Sequence, residues 1–318
     1  MKKILLFLTI LAVAAGTLYS QNTIKRETMV YSVKDGKELL LDRYTCESPG
    51  QEGKRPVFIY VHGGGFSTGS RVNALQIQYC KHFAKQGFVS VAINYRLGIP
   101  QGVQADQLTI MKAISLACED LADATAFILG KTDEWNIDPG KIVISGGSAG
   151  AITCLCTEYD ICSDRNYTGR LPEGFNYAGV ISHAGAVIIP ADTLVWKKEP
   201  CPVLLMHGNK DQMVPFDRVL ISENLYAGSN YLHKQFVGMK HPHWLYEEAG
   251  ADHIVALKPL QYNFAETDSF IERFVMNQEE AVVHTVWEDE TPDSMQDMIK
   301  VVPLYINGWD KTDDEINQ

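Results

Sequence analysis

The sequence predicts an α/β fold, a mostly parallel central sheet with helices on both faces, and three observations carry that expectation. Apolar runs of strand length alternate with helical stretches along the chain. Once an apolar leader is set aside, a little under 300 residues remain, which suits one large α/β domain better than two small ones. With 46% hydrophobic residues, such a domain can bury a large core.

The leader comes first. Met1, Lys2 and Lys3 are followed by an apolar run over residues 4–15 and then by small residues up to Gln21. A charged start, an apolar stretch and a small-residue exit form a secretory signal peptide pattern. The run is shorter than the ~20 residues a membrane-spanning helix needs. Cleavage is expected between Ser20 and Gln21, with a cut near Ala15 as the alternative. The chain then divides into a signal peptide (1–20), an α/β domain (21–277) and a C-terminal extension without an assigned role (278–318). The expected destination is outside the cytoplasm, periplasmic or extracellular.

Within the domain, residues 37–44 (KELLLDRY) read as an early strand, and residues 28–33 upstream would complete a hairpin. Residues 56–62 (PVFIYVH) form a buried strand that runs into a glycine series. A helix over 77–86 stops at Gly87, and 88–95 (FVSVAINY) is the next strand. A long helix over 109–129 ends at Gly130, and residues 135–140 turn into the strand that ends at Ser145. Beyond it, 151–159 read as helix, 177–182 and 202–207 as strands, and 222–236 as helix. Residues 244–248 form a short strand and 259–276 a closing helix. Two extended pieces, 281–287 and 299–306, flank an acidic loop in the extension.

Charge and cysteine content bound the partners. The formal net charge of −11 becomes −13 when Lys2 and Lys3 leave with the leader. That argues against nucleic acid or an anionic membrane surface and favours a neutral substrate. Seven cysteines cannot all pair within the chain. Cys154 and Cys156 lie two apart on a helix and point to different sides, so neither a bridge nor a shared metal is expected there. Small buried apolar residues is the reading for most of the seven. Cys46, Cys162 and Cys201 alone fall in loops by this reading, and no disulfide is assigned.

In an open parallel sheet, ligands sit beyond the carboxyl ends of the strands, so a reactive group should directly follow a strand. Ser148 passes this test, at the apex of Gly146-Gly147-Ser148-Ala149-Gly150 with a strand before and a helix after. A serine hydroxyl is a weak nucleophile and needs a base within hydrogen-bond reach. His62-Gly63-Gly64-Gly65-Phe66 follows another strand and leaves backbone N–H groups unshielded. Gly64 and Gly65, with Ala149, are the candidate donors to a developing oxyanion. No Gly-Lys-Ser/Thr follows, which disfavours a phosphate cradle. His62 opens the glycine run and is assigned to fixing the loop. Asp211, in His207-Gly208-Asn209-Lys210-Asp211, follows the 202–207 strand and is placed to orient a histidine. Asp217 lies further on, where a cap or solvent role suits it better. Of three clustered histidines, His241 and His243 precede the 244–248 strand, while His253 follows it. His253 is therefore the preferred base, with His241 second; His183, His233 and His284 have no such placement.

The order Ser148, Asp211, His253 is the order found in α/β-hydrolases. The chain resembles the hormone-sensitive-lipase-like and feruloyl- and acetyl-esterase-like carboxylesterases of that superfamily. The resemblance rests on HGGGF (62–66), NYRLG (94–98), NIDPGKIVISGGSAGA (136–151), HGNKDQMVP (207–215) and AGADH (249–253). It implies an α/β-hydrolase fold, Ser148 as nucleophile, Asp211 as acid, His253 as base and an oxyanion hole from the glycine run and Ala149. It implies ester hydrolysis with no cofactor and no metal, on a small-molecule or polysaccharide-linked ester such as an acetyl or feruloyl group. One departure stands out: the loop before the histidine reads Gly-Ala-Asp-His where relatives show Gly-x-Gly-His. An amide or peptide hydrolase, and a catalytically silent binding protein on the same fold, are the alternatives. Phe66, Tyr167, Phe175 and Trp196 are candidates for an acyl pocket, against the commoner fate of core packing.

Overall fold

The computed structural model describes residues 23–46, 53–164, 169–289 and 294. The leader, the 299–306 segment and Tyr167 lie outside these residues. A nine-stranded sheet forms the centre. Strands β1 (Ile24–Lys34) and β2 (Lys37–Cys46) make an antiparallel hairpin, and β2 runs antiparallel to β4 (Val89–Ile93). The remaining pairings are parallel, through β3 (Arg55–Val61), β5 (Ile137–Gly147), β6 (Gly179–His183), β8 (Val203–Gly208), β11 (His243–Ala249) and β12 (Val282–Glu288). The spatial order is β1-β2-β4-β3-β5-β6-β8-β11-β12.

Strand periodicity builds two cores from this sheet. Along β3, Val57, Ile59 and Val61 enter one cluster, and Phe58 and Tyr60 the other. The first cluster is covered by α2 (Gln107–Leu129), α3 (Ala149–Ser163) and α4 (Ser229–Met239), through residues such as Leu121, Leu155 and Phe236. The second is covered by α1 (Ala74–Lys85) and by two short helices, α5 (Pro259–Tyr262) and α6 (Phe264–Phe270). Asn73 and Asp106 cap α1 and α2, each accepting a backbone N–H. The expected α/β class, with helices on both faces, is the fold observed. Among the described residues no helix is long and apolar enough to cross a membrane.

Several local expectations are corrected. The segment 222–236 is not one helix: β9 (Arg218–Ile221) and β10 (Asn224–Gly228) form a hairpin, and α4 starts only at Ser229. Ser222 and Glu223 both adopt positive φ, which makes the tight turn between them. With β7 (Ala186–Ile189) these strands form a second, three-stranded antiparallel sheet. The closing helix over 259–276 is broken at Asn263 and ends in a π-helical turn, Ile271–Met276. Residues 135–140 are not wholly a turn, since Ile137 pairs with Arg55 as the first residue of β5. The extended piece expected over 281–287 falls on an edge strand, β12 (Val282–Glu288), laid parallel on β11. Cys46 lies in β2 and Cys162 in α3, not in loops, and all seven cysteines are free and buried.

Candidate active site

The elbow is built by close approach. A Cβ on Gly146 would sit 2.4 Å from the Gly150 carbonyl carbon, and one on Gly150 would sit 2.0 Å from the Val61 carbonyl oxygen. Strand, helix and neighbouring strand touch backbone to backbone here, which only glycine permits. Ser148 between them has φ 53° and ψ −121°, a strained conformation for a residue with a side chain. Its N–H donates to the His183 carbonyl at the end of β6 (2.9 Å), which holds the turn against the neighbouring strand.

Three strand ends deliver the partners. The Ser148 hydroxyl donates to Nε2 of His253 at 2.8 Å, and Nδ1–H of His253 donates to Oδ2 of Asp211 at 2.6 Å. The tautomer is assigned from these partners. His253 opens a short 3₁₀ turn, His253–Ala256, directly after β11. Asp252 stands where the resemblance implies a glycine. Its φ of −96° demands no glycine, and its carboxylate accepts the Ile254 N–H (3.0 Å), capping that turn. The Asp211 side chain is fully buried. Its Oδ1 accepts the N–H groups of Met213 (2.8 Å) and Val214 (3.0 Å). Burial alone would raise its pKa, but hydrogen bonds from His207 and His253 outweigh that and hold it well below the carboxylate range. The group stays an anion at any pH where the histidine could need it.

The glycine run lies against the elbow. A Cβ on Gly63 would meet the Gly147 carbonyl at 2.8 Å and the Ser148 Cβ at 3.5 Å, so the loop and the nucleophile candidate are in direct contact. A Cβ on Gly65 would meet open space, and the residue is exposed. Among the described residues, the N–H groups of Gly64, Gly65 and Ala149 donate to no protein acceptor. Ala149 opens the 15-residue α3, whose amino end adds a partial positive charge on the same side. His62 is under the loop: buried, stacked on Tyr95 at 4.3 Å, and donating Nδ1–H to the Gly63 carbonyl at 2.7 Å. Burial lowers its pKa to about 4 despite that bond.

The other expected positions fall elsewhere. Asp217 is half-exposed and accepts from Asn230 and Lys234. His241 is buried before β11 and donates to the Cys201 carbonyl at 3.0 Å. Phe175 packs edge-on against Tyr177, and Trp196 packs against Tyr159 and Phe236 near the far end of α3. Phe66 is buried beside Tyr95, next to the glycine run. One group escaped the sequence reading. His207, the fifth residue of β8, donates Nε2–H to the same Asp211 oxygen as His253, at 3.2 Å. It satisfies the same strand-end rule that selected Asp211. Among the described residues no group of three His, Cys, Asp or Glu side chains could hold a metal ion.

A glycine-tight elbow serine, an aspartate after β8 and a histidine after β11, on a mostly parallel sheet, define an α/β-hydrolase. Residues 41–160, which carry the glycine run and the elbow, match the BD-FAE family model. In structure the chain is similar to apo esterase 2 of Thermogutta terrifontis (TM-score 0.57, 22% identity, covering 79% of this chain and 94% of that one). Among curated proteins it is similar to gut esterase 1 of Caenorhabditis elegans, 31% identical over 103 residues, 32% of this chain and 18% of that protein. It is also similar to the phenmedipham hydrolase of Pseudarthrobacter oxydans, 36% identical over 100 residues, 31% of this chain and 19% of that protein. A non-reducing polyketide synthase of Stereocaulon alpinum is 28% identical over 144 residues, and that match spans only 5% of the synthase.

Proposed function

We propose that this protein is a serine carboxylic ester hydrolase working through Ser148, His253 and Asp211. The observation that carries the reading is the unbroken relay from the Ser148 hydroxyl through the His253 ring to the Asp211 carboxylate, at 2.8 and 2.6 Å. Ser148 Oγ attacks the ester carbonyl while His253 Nε2 takes its proton. The negative oxygen is received by the N–H groups of Gly64, Gly65 and Ala149. His253 returns the proton to the leaving alcohol, leaving an acyl-enzyme. A water, deprotonated by the same ring, then releases the acid and restores the hydroxyl. Asp211 stabilises the imidazolium in both halves. No step needs a metal or a cofactor. The names of the relatives, an esterase and a hydrolase among them, support the reaction class.

The finer reading is that the substrates are carbohydrate-linked acetyl or feruloyl esters met outside the cytoplasm. The motif resemblance and the signal-like leader support it. Ser148→Ala should abolish p-nitrophenyl acetate hydrolysis while leaving the thermal unfolding curve in place; retained activity would overturn the mechanism. A panel of acetylated xylan, methyl ferulate, short acyl nitrophenyl esters and aminoacyl nitroanilides tests the substrate class. Preference for the anilides would replace the ester reading with amide hydrolysis. A mature protein beginning at Met1 when isolated from its native host would remove export from the proposal.

A further inference from the structure

Asp211 serves two histidines. Its Oδ2 receives Nδ1–H of His253 at 2.6 Å and Nε2–H of His207 at 3.2 Å. His207 is fully buried, and its Nε2–H also faces the Val214 carbonyl at 3.2 Å. Two acceptors flank that nitrogen, so the proton belongs on Nε2, and Nδ1 accepts from the Ser229 hydroxyl at 2.8 Å. Ser229 is the first residue of α4 and is itself fully buried. The ring is thus fixed from both sides, by β8 and its following loop on one nitrogen and by α4 on the other.

The geometry of the carboxylate shows what this fixing does. The χ2 torsion of an aspartate is broad and roughly two-fold, so its plane must be set by its partners. Oδ1 is set by the Met213 and Val214 N–H groups, both on the loop that follows. Oδ2 carries the bond to His253, and among the described residues its other donor is His207. Val214 closes the arrangement: its N–H binds Oδ1 while its carbonyl binds His207.

We propose that His207 is a positioning residue for the reaction, acting through Asp211. With Ser229 and Val214 it locks the carboxylate plane so that Oδ2 lies in line with Nδ1 of His253. It also draws on the same lone-pair region, which moderates how strongly Asp211 favours the protonated His253 ring. The inference rests on the serine-hydrolase reading, and Ser148→Ala run in the same assay separates the two. An active Ser148→Ala sinks that reading, whatever His207 does.

The test compares His207→Leu, His207→Gln and Ser229→Ala in kcat, KM and the pH profile of kcat/KM, with active sites counted by a fluorophosphonate titrant. His207→Leu should lower kcat per titrated site by ~10- to 100-fold, the scale on which misplaced catalytic geometry is felt. KM should stay within about three-fold, and the acid limb of kcat/KM should move to higher pH as Oδ2 is freed for His253 alone. His207→Gln keeps an N–H near the Nε2 position and should recover most of kcat and return the acid limb. Ser229→Ala should cost only a few-fold. A merely structural role would lower the count of active sites in His207→Leu while kcat per site and the pH profile stay put, and that result overturns the proposal. Should His207→Leu fail to fold, a Ser229→Ala variant with the parent's kcat per site and pH profile overturns it. A Gln variant no better than Leu also overturns it.

Discussion

Strand β11 has buried histidines at both ends, and the two ends hold them in opposite ways. At the amino end, His243 donates Nδ1–H to the His241 carbonyl at 2.7 Å, and its other nitrogen accepts Nδ1–H of His233 at 2.8 Å. His241 donates to the Cys201 carbonyl, and its second nitrogen is 3.4 Å from Glu199, a mostly exposed carboxylate. Burial lowers the pKa of both, that of His243 to about 4. At the carboxyl end, His253 lies between a buried carboxylate and a hydroxyl. The residue type is the same and so is the strand. A ring tied to carbonyls and other rings has no hydroxyl to deprotonate, whereas one set between an anion and a hydroxyl does. The difference is set by which edge of a parallel sheet the chain is leaving.

The largest expected effect sets those two ends against each other directly. His253→Ala should lower kcat for p-nitrophenyl acetate by ~10⁴-fold or more, the scale of losing a triad member. His241→Ala should stay within about three-fold, with its cost appearing in the melting temperature. The reverse outcome would break the strand-edge rule for this chain. A second contrast uses glycines at the two edges. Gly63→Ala places a Cβ 2.8 Å from the Gly147 carbonyl, so either the glycine run or the elbow must shift. A kcat loss of ~100-fold is expected, comparable to losing one oxyanion donor. Gly140→Ala, at the amino edge, meets only Asp138 Oδ1 at 3.4 Å and should leave kcat unchanged. Equal kcat values for the two variants would show that the glycine run is not part of the site.

How much of this was legible in the sequence follows from where the signals are local. The strand ends around Ser148, Asp211 and His253 could be read because glycine clusters punctuate them and apolar runs precede them. The relation of the three side chains could only be inferred, since residues up to 105 positions apart meet there. The β9–β10 hairpin was hidden because its turn uses Ser222 and Glu223 at positive φ, with no Asn-Gly or Asp-Gly to announce it. Its strand character comes from pairing with β7, a contact no local window contains. Likewise the break at Asn263 carries neither glycine nor proline. His207 was visible as a letter but was read as the end of a strand, although the rule that picked Asp211 four residues later applied to it equally.

His183 tests the comparison from the other side, because it occupies the catalytic edge without the partners. Its carbonyl anchors the Ser148 N–H, yet its ring is fully buried against Tyr79 at 5.9 Å, and neither nitrogen has a hydrogen-bond partner among the described residues. Position alone therefore does not make a histidine reactive. Burial lowers its pKa from 6.5 to about 3. The sign of the pH effect follows. Below pH 6.5 the unfolded chain takes up a proton that the folded ring refuses, so folded stability is lost as the pH falls, by up to ~1.4 kcal/mol per unit, until the folded ring titrates. His183→Leu keeps the carbonyl and removes that penalty. The variant should match or exceed the parent in urea at pH 7, because an unpartnered buried polar group is itself a cost. The parent should then fall behind by ~2 kcal/mol more at pH 5, in the linkage limit for one histidine. Activity at pH 7 should change little, since the substitution keeps the carbonyl that accepts the Ser148 N–H. Parallel pH dependence in the two proteins would mean that the ring finds a proton-stabilising partner after all, and that the catalytic edge tolerates no idle histidine.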